Sequence, residues 1–134
     1  MAVLLTRLPN LRAIAQDFLG QPYAVDDCWR LVLDLLHAGG FGDYRDKPGE
    51  AIQQVGEVWF WDDTRDPLML VQPWDWVLLS KTGRPEKGAP VGHIGLVVDD
   101  LTFVHVGSKV GVVIEPLQRW RARMVQLARW KHLT

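Results

Sequence analysis

Cysteine is nearly absent from this chain: 134 residues contain one, Cys28. A lone thiol closes no internal disulfide, and the four histidines show no spacing with further cysteines that reads as a zinc site, so neither a disulfide framework nor a structural metal is expected. An excess of charge is missing as well, with 15 Lys and Arg against 16 Asp and Glu. Nothing marks a polyelectrolyte partner, and nucleic acid is not expected to bind. Long apolar runs are also lacking. The short run in "MAVLLTRLPN" has no basic stretch before it and no small-residue cleavage site after it, and no span approaches membrane-crossing length. The expectation is a chain made in the cytosol without a signal peptide and without a membrane partner. Its length suits one domain, residues 1–134, closed around one core.

Tryptophan, by contrast, is plentiful: the seven fall mostly in "VWFWDD", "PWDWVLL" and "RWRARMVQLARW". Packing of large aromatics in the core and at sheet edges accounts for them, and a sugar-binding or wall-binding role stays open for some.

Apolar residues Leu11, Ile14, Ala15, Phe18 and Leu19 have helical spacing, with Asn10 as cap and Gly20 as stop. A second helix begins at Asp26 or Asp27 and runs through Cys28, Leu31, Val32, Leu35 and Leu36. It ends at Gly39-Gly40, where a left-handed cap needs glycine. From Phe41 to about Gln72 a short helix in "GEAIQQV" is the one regular element, and the rest reads as loop. After Pro73 the runs "WDWVLLS", "HIGLVVD", "TFVHVG", "VGVVIEPL" and "MVQLARW" are β-branched or aromatic and are separated by Gly, Pro and Asp-Asp turns. Helices followed by an antiparallel meander of about five strands make an α+β fold, with the helices on one face of the sheet.

Cys28 therefore opens a helix. A free cysteine is most often a small buried apolar filler, but the unpaired N–H groups and dipole at a helix start also favour a thiolate. A nucleophilic thiol needs a base. His93 in "GHIGLVVDD" and His105 in "FVHVGSKVG" fall on consecutive strands joined by a tight turn near Asp99-Asp100. That arrangement brings one imidazole beside the other as base and orienting group. His37 suits a favourable charge at its helix end, and His132 lies in the tail, so neither needs a catalytic role.

The order "GQPY", "DDCW", "QPWDWVLL", "GHIGLVV" and "FVHVG" resembles the NlpC-type cell-wall cysteine peptidases, a compact branch of the papain-like superfamily. The tryptophan straight after the cysteine is similar to bacteriophage tail-associated members. The resemblance spans roughly Gly20 to the C-terminus. It implies a papain-like fold, no cofactor, Cys28 as nucleophile, His93 as base and His105 as its orienter. It further implies hydrolysis of amide bonds in peptidoglycan stem peptides, with phage tail proteins as partners and the virion tail as a location. Tyr23 and Asp27, with Arg30 whose forked donors suit a substrate carboxylate, are the expected substrate contacts. Two departures stand out. Arg30 and Trp74 occupy positions where the family usually has glycine, and both would fall near the cleft. They favour an alternative, a weakly active or inactive structural subunit of a tail tip with a filled cleft. A thiol amidase or acyltransferase acting on another substrate is a third reading.

Overall fold

The computed structural model describes residues 8–24, 27–60, 67–69, 71–80 and 91–131. Its elements are helices α1 (Leu11–Gln16), α2 (Cys28–Ala38) and α3 (Pro48–Ile52), and strands β1 (Val55–Phe60), β2 (Trp76–Leu79), β3 (His93–Val97), β4 (Thr102–Gly107), β5 (Gly111–Pro116) and β6 (Met124–Trp130). Short 3₁₀ turns occupy Pro67–Met69 and Leu117–Arg123. The strands form one sheet in the order β1-β6-β2-β3-β4-β5, and every neighbouring pair is antiparallel. Mixed helix and antiparallel sheet agree with the expected class, but the described residues form six strands rather than about five, and the last does not extend the meander: β6 returns to lie between β1 and β2. The additional one is β1, in a stretch read as loop. Glu57 and Val58 are exposed, so its sequence carries little alternation, and pairing with the distant β6 creates it.

Helix α2 forms because Leu31, Val32, Leu35 and Leu36, spaced for one helical stripe, are all buried. Its end is a Schellman-type cap: Gly40 takes φ +83°, its N–H donates to His37 O, and Phe41 N–H donates to Leu36 O. Its start departs from expectation. Asp27 stands at the cap position, yet its side chain makes no capping hydrogen bond; Asp26 lies outside the described residues, as does His132.

The helices cover one face of the sheet, where Leu31, Leu35, Trp76, Leu96, Val104 and Trp130 share a core. The opposite face carries a second, smaller core of Val77, Leu79, Val97, Phe103, Leu117 and Leu127, with Trp120 packed against it. The β3–β4 turn is tight as expected, with Asp100 and Leu101 both at positive φ. Arg12 of α1 grips Asp99 there through two nitrogens. The edge of β5 is covered by the chain after α1, since Gly20 N–H donates to Val112 O and Val112 N–H donates to Gln21 O.

Trp74 does not fall where the sequence reading put it. It is fully buried in the helix-side core, its indole N–H donates to Pro9 O, and its ring lies against Gly39, where an added Cβ would come within 2.4 Å of it. Its φ is +74°, a conformation glycine adopts freely and other residues adopt at a cost. The following residue, Asp75, is wholly buried. It accepts two hydrogen bonds at 2.8 Å from Arg129 of β6 and one from Gln72 N–H. Burial pushes its carboxyl up from the usual range, against the opposing pull of Arg129. The ion pair ties the entry of β2 to β6.

Candidate active site

Cys28 is the first residue of α2 and is 8% exposed. A cleft of about 620 Å³ opens beside it, lined by Cys28, Trp29, Ile52, Val55, Val58, Trp76, Leu78, Val91, Gly92, His93, Ile94, Gln126 and Ala128. Cys28 and His93 thus both line one cleft. His93 faces Leu79 across the β2–β3 ladder and so belongs to the sheet face opposite α2. It reaches the cleft as the first residue of β3.

Behind His93 stands His105, with Nδ1 2.8 Å from His93 Nε2. The β3–β4 register pairs Leu96 with Val104, and its continuation places Gly95 opposite His105, so the two imidazoles meet diagonally. Gly95 makes the approach possible. A Cβ there would lie 2.6 Å from Val104 O, 2.8 Å from the Phe103 ring and 3.0 Å from the His105 Cβ. The glycine two residues after His93 is therefore a packing requirement of the histidine pair.

Aromatic rings close around the pair. Phe103 stacks on His105 at 4.3 Å between centroids, and Trp120 stacks on His93 at 5.8 Å while meeting His105 edge-on at 5.0 Å. His105 is wholly buried. Burial above all, and then the neighbouring His93, push its pKa down to about 4, with Glu115 pulling the other way. At neutral pH His105 is uncharged and acts as a hydrogen-bonding partner rather than a cation.

The sequence matches no model of a known protein family and no curated protein. The order and geometry of its own residues carry the functional argument.

Three residues expected at the substrate do not line the cleft: Tyr23, Asp27 and Arg30. The Tyr23 hydroxyl donates to Asp34, in the second turn of α2, and burial with that hydrogen bond pushes it up to about 12. Tyr23 remains a protonated donor, already engaged in clamping the preceding loop to the helix. Asp27 and Arg30 are exposed. Trp74, expected near the cleft, is in the core. The groove walls come instead from residues with no local signature. Trp29 follows the cysteine directly and meets Trp76 edge-on at 5.4 Å, and Gln126 arrives from β6, which lies between β1 and β2. Among the described lining residues, Cys28, His93 and Gln126 are the ones with polar side chains other than tryptophan. No three His, Cys, Asp or Glu among the described residues come together as a metal site, and no helix of the described residues is long and apolar enough to cross a membrane.

Proposed function

We propose that this chain is a cysteine hydrolase of papain-like fold that cleaves amide bonds in peptidoglycan stem peptides, with Cys28, His93 and His105 as its site. The observation that carries the reading is that one cleft is lined by Cys28, the first residue of a helix, and by His93, whose imidazole is backed by a second imidazole. Such a nucleophile, base and orienting group is the minimal equipment for acyl transfer through a thioester.

In the proposed cycle His93 Nδ1 takes the thiol proton and Cys28 Sγ attacks the amide carbonyl carbon. The tetrahedral oxyanion is met by backbone N–H at the start of α2, where four such groups lack intrahelical partners. The C–N bond breaks, the amine leaves with the proton held by His93, and the acyl group stays on sulfur. Water then gives a proton to His93 and attacks the thioester, releasing the acid and restoring the thiol. The neutral, buried His105 holds the His93 ring in place throughout. A phage tail would supply the route to the wall.

The apolar lining of the cleft favours a second reading, a thiol amidase or acyltransferase that takes an apolar acyl group. Neither Trp74 nor Arg30 is among the cleft's lining residues, so neither supports a plugged structural subunit. The functional test is release of new amines from purified peptidoglycan sacculi. Release by the native chain and none by Cys28→Ala supports the peptidase; no release by a folded native chain that still transfers or hydrolyses apolar thioesters supports the second reading.

A further inference from the structure

Beyond the histidine pair the structure continues to a carboxylate. His105 Nε2 is buried and has no hydrogen-bond partner among the described residues, and Glu115 Oε2 on the neighbouring strand β5 lies 3.7 Å away. That same oxygen accepts a hydrogen bond of 2.7 Å from the Trp120 indole N–H, so the carboxylate is fixed in position. Arg123 lies over the Trp120 ring, 4.9 Å from its centre.

Each neutral imidazole carries one proton, and the 2.8 Å contact between His93 Nε2 and His105 Nδ1 needs one donor and one acceptor. Two proton patterns satisfy it. In the first, His105 carries its proton on Nε2, toward Glu115; its Nδ1 accepts from His93 Nε2–H, and His93 Nδ1 is left with a lone pair. In the second, the protons are reversed: His105 Nδ1 donates, its Nε2 lone pair faces the carboxylate, and His93 bears its proton on Nδ1. The carboxylate attracts an N–H and repels a lone pair, so it selects the first pattern across the gap.

We propose that Glu115, held by Trp120, is a positioning residue that selects the tautomers of both histidines and thereby leaves Nδ1 of His93 as the proton-accepting nitrogen. The inference rests on the hydrolase reading for its purpose, but its content is a proton arrangement that exists whether or not any substrate is cleaved. Glu115 touches no reacting atom; it acts through His105.

The test is long-range ¹H–¹⁵N correlation of histidine rings in the full chain, recorded at a pH where both imidazoles are neutral. Nε2–H on both His93 and His105 is the expected result, and Nδ1–H as the main form of either ring overturns the proposal. Glu115→Leu should shift the pair toward Nδ1–H, whereas Glu115→Gln, which keeps an acceptor oxygen, should retain Nε2–H. Cys28 alkylation in Glu115→Leu should slow at least tenfold, a part of the roughly 10²–10⁴-fold that a positioned base contributes, with Glu115→Gln recovering most of it. If Glu115→Leu does not fold, Trp120→Phe, which frees the carboxylate from its anchor, is read by the same spectra. Nε2–H tautomers unchanged in the folded leucine variant, or in Trp120→Phe when that variant is the one read, refute the selection. Correct tautomers in a chain that cleaves nothing would leave this inference standing and remove the hydrolase.

Discussion

His93 and His105 meet diagonally across β3 and β4, 2.8 Å apart, over a glycine that has no room for a side chain. Gly95→Ala is therefore expected to do more than strain the sheet. The new methyl would press on the Val104 carbonyl oxygen, which cannot swing aside, and overpacking of this kind costs about 1–3 kcal/mol. The strands must part where the imidazoles touch, so hydrolysis should fall further than in an equally destabilised core variant such as Leu31→Val. Equal losses in the two variants at matched stability would mean that Gly95 matters to packing alone.

Cys28→Ser and His93→Ala should each remove most hydrolysis, and the double variant should lose little more than either. Residues that act as one unit give such non-additive losses. Losses that multiply, measured as kcat/KM on stem-peptide substrates, would assign one of the two to the fold only.

His105 makes stability depend on pH in a definite direction. Its folded pKa, about 4, lies below the ordinary 6.5, so between these values the unfolded chain binds more protons than the folded one. The contribution is fully present above about pH 6.5, declines on acidification, and is gone by about pH 4. Between about pH 7.5 and about pH 5 this one group should cost about 2 kcal/mol, at 1.36 kcal/mol per unit. Urea midpoints at the two pH values test it. His105→Asn, with nothing to titrate there, should lose less stability over that interval than the native chain, and parallel losses would contradict the assignment.

Trp74→Gly sets two effects against each other. Glycine relieves the positive φ, a gain of about 1–3 kcal/mol, but deletes a wholly buried indole whose removal costs roughly 3–5 kcal/mol or more. Net destabilisation of about 2 kcal/mol is expected. Because the ring packs on Gly39 and not in the cleft, Cys28 reactivity in the folded variant should stay within twofold of native. A sharp rise would revive the plugged-cleft reading.

What could be read from the chain was what local pattern encodes. The stripe Leu31, Val32, Leu35 and Leu36 announces α2, the glycines announce its end, and the β-branched runs on either side of Asp99-Asp100 announce the hairpin that carries both histidines. Strand β1 was not legible, because it owes its regularity to β6 about 70 positions away. Nor was the role of Asp75, whose partner Arg129 is 54 positions distant. The cleft walls share that origin: Gln126 lies beside Leu78 only through the β2–β6 pairing. Tyr23 and Arg30 were expected at the substrate from the family resemblance and, for Arg30, from its forked donors. Neither lines the cleft, because the Tyr23 hydroxyl is held by Asp34 and Arg30, two positions beyond Cys28 on α2, faces solvent.

The central claim is that Cys28 is a nucleophile activated by His93, and its rate of alkylation by iodoacetamide across neutral pH tests this most directly. The native chain should react faster than a model thiol at neutral pH, and His93→Ala, checked as folded, should lose that advantage. A native rate at or below that of the model thiol, or a fast rate that survives His93→Ala unchanged, would contradict the account.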